Sequence, residues 1–305
     1  MDGIINIYKE KGFTSFDVVA KLRGILHIKK IGHTGTLDPD AEGVLPVCIG
    51  KATKVCELLT DKDKTYRAVV KLGVTTDTLD LSGKILSQVK SHVCREELQA
   101  AAEQFVGEIS QIPPMYSAIK IDGKRLYQLA REGKTVERKP RNVVIHSLEI
   151  IHFSAEDQEF TMEVSCSKGT YIRTLCDDIG QKLGCGAAMK ELLRTKVGPF
   201  VLAEAVTLQE VENIRDQGLL PTLIRPIDSV FTAYEKCVVP EDGMKILVNG
   251  NKLPQNMLSY LAKDREKVRV YGADQKFYAI YEFVQKEKKY KIVKMFYNGE
   301  SGSGE

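Results

Sequence analysis

Between residues 32 and 43 the chain reads GHTGTLDPDAEG, and the apolar run GVLPVCIG begins at its last glycine. Gly32, Gly35 and Gly43 permit backbone angles that other residues avoid. Pro39 biases Asp38 towards extended geometry and withdraws an N–H from any ladder. No helix or long strand survives that spacing, so the segment is an ordered loop that presents one carboxylate. Two readings of Asp38 stay open. Its carboxylate either closes an Asx turn on its own backbone, or it is held out for chemistry.

The flanking sequence alternates between two periodicities. GIINIYKEKG reads as a short strand and turn. Val18, Val19, Leu22, Ile25 and Leu26 then fall on one helical face behind Thr14 or Ser15 as cap. GVLPVCIG reads as a buried strand and KATKVCELLT as a short helix. TYRAVVKLG sets Tyr66, Ala68, Val70 and Leu72 against Arg67, Val69 and Lys71, the pattern of a half-buried strand. REELQAAAEQFVG is helical, VVIHSLEIIHF and FTMEVSC are strands, and TYIRTLCDDIGQKLG is a helix that Gly184 can stop. Arg173 and Tyr171 fall in that helix's first turn, just after a strand, where α/β proteins often place chemistry. Past a boundary around 226–240, VRVYGADQKFYAIYEFVQKEKKYKIVKMFY gives three strands of a small β module, and SGSGE a flexible tail. The fold class is α/β (α+β).

Composition matters mainly for what it excludes. With 305 residues, 43% hydrophobic and 28% charged, the chain suits one large domain plus a small module. No run approaches the roughly 18 apolar residues of a membrane span. MDGIINIYKEKG has acid and lysine where a signal peptide needs an apolar core. Seven cysteines without a CxxC pair read as reduced thiols, and the five histidines lack paired ligand spacing. These features predict a cytoplasmic protein with no metal site. Gly50-Lys51-Ala52-Thr53 resembles the end of a P-loop, but Ala52 and Leu45 stand where Thr or Ser and Gly are required. No nucleotide cofactor is implied.

Net charge is only +3, yet the cations are clustered. Lys21, Arg23, Lys29 and Lys30 share residues 18–37 with no acid. Residues 119–141 carry eight lysines and arginines against Asp122, Glu132 and Glu137, a net +5, in a tyrosine-bearing stretch that looks like an excursion from the core. A third cluster, five lysines against Glu287, spans 286–294. Each alone suits a solvated face; three in a balanced chain point to a polyanionic partner.

GHTGTLDPDAEGVLPVCIGKATK resembles the catalytic signature of the bacterial tRNA pseudouridine-55 synthases, the TruB type. The likeness continues in order through KTYRAVVKLGVTTDTLDLSG, PPMYSAIKIDGKRLYQLAREG and SKGTYIRTLCDDIGQKLGCGAAMKELLRTKVGPF. One departure is visible: Lys9-Glu10-Lys11-Gly12 lacks the proline of the family's Lys-Pro-x-Gly turn. The resemblance implies a mixed, mostly antiparallel sheet with flanking helices forming a catalytic cleft. It places a catalytic domain at 1–232, with a thumb-like RNA-binding insertion at about 115–148, and a PUA-like β module at 233–305. It also implies the reaction, isomerisation of a flipped-out uridine in the tRNA T-arm without metal or cofactor, by a monomer with no membrane partner.

Residue by residue, the resemblance makes Asp38 the nucleophile and Arg173 its charge partner, and sets Tyr66 to stack on the target base. His33 would disrupt the RNA loop, while Tyr171 and Leu192 would shape the pocket. Lys120, Lys124, Arg125, Tyr127, Arg131 and Arg141 would bind RNA from the basic insertion. Taken without the resemblance, periodicity alone favours core packing for Tyr66, His33 reads as a satisfied loop residue, and Arg173 reads as a phosphate clamp or surface ion pair. Two other functions remain to be weighed: a carboxylate-dependent glycosidase, which needs a second placed carboxylate, and a non-catalytic RNA-binding protein, which leaves the framed aspartate unexplained.

Overall fold

The computed structural model describes residues 1–121 and 123–297. Asp122 of the basic stretch and the SGSGE tail lie outside the described residues. The chain opens with β1 (Gly3–Lys9), turns at Gly12 and enters α1 (Ser15–Leu26). Thr14 is the cap: its hydroxyl accepts from the Asp17 N–H at 3.1 Å, and the Asp17 carboxylate accepts from the Thr14 N–H at 2.8 Å. Val18, Val19, Leu22 and Leu26 are buried as their spacing predicts, with Ile25 half-buried beside them.

β2 (Ile31–His33), β3 (Glu42–Ile49), α2 (Cys56–Thr60) and β4 (Lys64–Leu72) follow, then the hairpin β5 (Val74–Thr76) and β6 (Ile85–Gln88), α3 (Arg95–Glu103) and β7 (Gly107–Gln111). The basic stretch is more structured than its weak patterning predicts. It holds a small hairpin, β8 (Lys120–Ile121) and β9 (Lys124–Arg125), and α4 (Leu126–Arg131), whose Leu126 and Leu129 are buried. β10 (Arg141–Ser154), β11 (Glu159–Cys166), α5 (Ile172–Lys182), β12 (Ala187–Val197), β13 (Phe200–Val201) and α6 (Leu208–Asp216) complete the first layer. The C-terminal part contains β14 (Glu235–Val238), α7 (Met244–Val248), β15 (Leu253–Pro254), β16 (Lys267–Tyr271), β17 (Phe277–Val284) and β18 (Lys289–Met295).

The main sheet has the order β1-β3-β12-β4-β11-β10-β7, with β2 on β3 and β13 on β12. Its pairs are antiparallel except β3 with β12. α1 and α6 bury their apolar faces against β1 and β3, and α3 and α5 against the other half of the sheet. The central strand β12 has no counterpart in the sequence reading. AAMKELLRTKV is built largely from helix-favouring residues, and only its place between β3 and β4 makes it extended.

The C-terminal sheet runs β14-β16-β17-β18-β15. It shares a core with the first layer, where Ile280 and Phe296 pack with Ile4, Val44, Cys48 and Val55. Among the described residues no helix is long and apolar enough to cross a membrane.

One glycine decides where the sheet meets the 34–41 loop. Gly43 pairs with Arg194 of β12 at φ +104°, and a Cβ there would stand 2.3 Å from the Arg194 carbonyl oxygen. Gly43→Ala combines backbone strain with a backbone clash, so it is expected to cost on the order of 2–4 kcal/mol. Denaturant unfolding of the variant checks this, and a loss under ~1 kcal/mol would mean that β12 can move away from β3 freely.

Candidate active site

The loop carrying Asp38 is pinned from four sides. Buried Ser15 of α1 accepts from the Leu37 N–H at 2.9 Å. The Pro46 carbonyl of β3 accepts from Thr34 N–H at 3.2 Å, and the Pro39 carbonyl accepts from Gly12 N–H at 2.9 Å. The Lys9 ammonium, wholly buried, donates to Pro39 O at 3.0 Å, Phe13 O at 2.6 Å and Glu10 O at 3.0 Å. Burial pulls its pKa down to about 8, against the nearby Glu42, Asp38 and Asp40 charges. The turn that lacks the family's proline is thus fastened by its own lysine.

The fourth support is Arg194, 1% exposed. Its guanidinium donates to Val44 O at 2.7 Å, Gly35 O at 3.3 Å and Thr36 O at 3.4 Å. Three carbonyls and the Tyr66 hydroxyl are its partners in place of a carboxylate.

Within this frame the turn is closed by backbone, Ala41 N–H to Asp38 O at 3.1 Å. The carboxylate is left for Arg173, whose Nη2 lies 3.1 Å from Asp38 Oδ2. That answers the opening ambiguity: the turn exists, and the side chain does not close it. Burial among the loop atoms raises the Asp38 pKa, the Arg173 charge lowers it, and Asp80 adds to the rise. The Asp38 side chain still keeps 45% of its surface open to solvent.

Arg173 is fixed from several directions. Tyr171 precedes α5 as its N-cap, and its N–H and C=O are both bound by the side-chain amide of buried Gln111, at 3.0 and 3.3 Å. The guanidinium donates to Tyr116 O at 2.8 Å, Thr78 O at 3.1 Å and Asp80 Oδ2 at 3.4 Å. Asp80 is braced by the Thr78 hydroxyl and by the backbone and hydroxyl of Ser82. Between Thr78 and Asp80, Leu79 holds φ +63°, an uncommon conformation for a leucine, and is tied to β12 through Met189.

Tyr66 stands on β4 opposite Arg194, half-buried against the sheet core. Burial pushes its phenol pKa up while the Arg194 charge opposes the rise, and Asp38 is near enough to add to it. Leu192 lies opposite Ala68 on the same pair of strands. His33 ends β2; its Nδ1 accepts from the Gly35 N–H at 3.3 Å, so the neutral ring carries its proton on Nε2. Burial lowers its pKa.

The segment entering the basic stretch meets the site through Tyr116, and the stretch's cations are exposed except Arg138, which donates to Pro113 O at 3.1 Å. Arg125 and Arg131 flank the Tyr127 ring with Cζ at 5.8 and 5.5 Å from the centroid. Lys124 sits 3.7 Å from Glu132, an exposed pair of little energetic weight. Lys120 and Arg141 are exposed on β8 and β10.

Comparison with known proteins settles the family. Residues 23–172 match the TruB family pseudouridylate synthase N-terminal domain, and 173–232 the tRNA pseudouridylate synthase B C-terminal domain. A tRNA pseudouridine synthase B from Lachnoclostridium phytofermentans is 51% identical over 306 residues, covering 97% of this chain and 100% of the relative. The chain belongs to the TruB family. A second TruB relative, from Clostridium perfringens, is 47% identical over 89% of this chain and 91% of its own.

The TruB fold extends to more distant solved structures. A Cbf5–Nop10–Gar1 complex contains a chain with TM-score 0.75 and 27% identity, covering 97% of this chain and 85% of that one. A Nop10–Cbf5 complex gives TM-score 0.72 at 26% identity, covering 97% and 86%.

The sequence reading missed Asp80 and Arg194 as parts of this candidate site. Asp80 was signalled by TDTLDLSG, where threonine, serine and glycine crowd an aspartate as they crowd Asp38. Arg194 had no comparable signal, since LLRTKV carries Thr195 and a second cation, Lys196, beside it.

The charge balance at Asp38 makes a pH prediction. A nucleophilic carboxylate reacts in its ionised form; at Asp38 burial favours the protonated form and the Arg173 charge opposes that. Arg173→Met therefore raises the Asp38 pKa further and moves the acidic limb of the rate profile to higher pH. Turnover is expected to fall about 10²–10³-fold at neutral pH and to recover in part as pH rises. A pH–rate profile checks this, and a loss that is equal at every pH removes the electrostatic role.

Proposed function

We propose that this TruB-family pseudouridine synthase isomerises uridine 55 in the T-loop of tRNA, acting as a monomer in the cytoplasm. The observation that carries the reading is the 3.1 Å Asp38–Arg173 pair, presented by a loop whose turn is closed without the carboxylate. Asp38 acts on the ribose of an extruded uridine. The C1′–N1 bond breaks, the uracil turns in place, and a C1′–C5 bond forms while the proton on C5 is exchanged for one on N1. Atoms balance between substrate and product, so no co-reactant is consumed. Tyr66 offers its ring to the base from β4, held by Arg194, and His33 supplies a neutral ring with Nε2–H at the loop edge. Residues 1–232 form the catalytic domain, the stretch at about 115–148 closes on the T-arm, and 233–305 add a second RNA-binding module.

Asp80 bears on the glycosidase alternative, because it is a second carboxylate beside Arg173. Its oxygens accept from Thr78, Ser82 and Arg173. That makes it a brace for the guanidinium rather than a proton donor to a leaving group. A purely RNA-binding protein would have no use for two carboxylates aligned on a buried arginine.

Asp38→Asn keeps shape and removes the charge. With a T-arm transcript it is expected to give no pseudouridine and near-normal affinity, since phosphate contacts lie elsewhere. Turnover above a heat-killed control would remove Asp38 as nucleophile. Neutralising Lys124, Arg125 and Arg131 together is expected to weaken tRNA binding and reduce the log–log salt slope by roughly 0.7–0.9 per lost contact. Rate at saturating tRNA should change less. An unchanged slope would make these cations a solvated face.

A further inference from the structure

All seven cysteines are free thiols, and two of them meet. Cys48 lies on β3, wholly buried, and pairs with Gly32 of β2. Cys56 is the first residue of α2 and is half-buried. The place that a Cβ would take on Gly32 is 3.3 Å from the Cys56 Sγ, so this sulfur rests on β2 in the room the missing side chain leaves. Directly opposed residues of paired strands present the same face, which puts the Cys48 thiol beside that room. The two thiols are hydrogen-bonded to each other. That bond, together with burial, pushes the Cys48 thiol up. On Cys56 it acts the other way, pulling the thiol down against burial and the Glu57 charge. Cys56 also lines an open recess of about 560 Å³ with Lys29, Lys30 and His33. The pair is therefore unequal: a sealed thiol that keeps its proton, and an accessible one that gives its proton up more readily.

We propose that Cys56 and Cys48 form an oxidative modification site, in which Cys56 meets a small hydroperoxide and Cys48 resolves the product into a disulfide. The Cys56 thiolate attacks one peroxide oxygen: an S–O bond forms, the O–O bond breaks, and the departing oxygen takes up a proton as water or an alcohol. The Cys48 sulfur then attacks the Cys56 sulfur. An S–S bond forms, the S–O bond breaks, and the hydroxyl leaves as water with the Cys48 proton. Two thiols lose two electrons, and one peroxide is reduced. The first step needs a thiol open to solvent, and the lysines around the recess favour its anion. The second needs a partner within bonding reach. Cys48 is held between β1 and β2, opposite Ile4 and Gly32, whereas α2 has five residues and no side-chain cap, so Cys56 is the side that moves. A sulfenic acid left alone goes on to irreversible products, and the resolving thiol diverts it into a form that reductants restore. Cys94 supplies the contrast, since it is more exposed than either and sits among Glu96 and Glu97 rather than against a second thiol.

The test treats the reduced full chain with hydrogen peroxide under native conditions, alkylates the remaining thiols and maps the peptides by mass spectrometry. Wild type is expected to lose two of its seven free thiols as a Cys48–Cys56 disulfide, and a dithiol reductant to return both. Cys56 should be consumed about tenfold faster than the more exposed Cys94. In Cys56→Ser, Cys48 should remain a thiol through the same treatment. In Cys48→Ala, Cys56 should gain two oxygens as a sulfinic acid that the reductant does not reverse. Melting curves taken before treatment check that both variants are folded, and wild type carries the main result without them. Wild type that keeps Cys48 and Cys56 as thiols while Cys94 is consumed overturns the site. So does a disulfide between any other two cysteines in place of this one, or Cys56 carried to the sulfinic acid in wild type with no disulfide formed.

Discussion

Arg173 forms an ion pair with Asp38 and donates to the Asp80 carboxylate and to the carbonyls of Thr78 and Tyr116, so one guanidinium joins three separate stretches of chain. It is 7% exposed, and a buried cation is tolerated only when its donors are used. The hairpin that carries Asp80, the segment entering the basic stretch and the loop of Asp38 all supply acceptors. The Asp38 carboxylate is thus also part of what makes the arginine's burial possible. Removing Arg173 would leave two carboxylates without their partner and two carbonyls without a donor.

Arg194 plays the complementary part beneath the same loop. It satisfies carbonyls at Gly35, Thr36 and Val44, which the irregular backbone cannot pair within itself. Lys9 does the same at Glu10, Phe13 and Pro39. Two buried cations therefore hold the backbone of the loop that presents the Asp38 carboxylate. Their fixed charges and bonds set the position of Asp38 in advance, the preorganisation that the proposed role asks of it.

Much of this was legible along the chain. The α1 face, the alternation of β4, the stop at Gly184 and the placement of Arg173 at the start of α5 all follow from local spacing, and all are found. β12 was not legible, because Ala, Met, Lys, Glu and Leu favour helix when taken alone and its extended form comes from its neighbours on both sides. Asp80 was passed over for a related reason: a turn aspartate has many local uses, and only the arrival of Arg173 from 93 residues away distinguishes this one.

The sequence by itself determined that an aspartate would be framed by glycines and proline, that the chain would mix strands and helices, and that its cations would cluster. Those properties depend on neighbours within a few residues, which the order of residues specifies directly. The tertiary structure alone decided whether Asp38 would spend its carboxylate on its own turn. It did so by closing the turn with the Ala41 N–H and bringing Arg173 to 3.1 Å. It also decided that Arg194 would lie under the loop, through the register of Gly43 with β12. Both outcomes join residues more than a hundred positions apart, and no local pattern encodes such a meeting, because the buried charges become affordable only once every acceptor is in place.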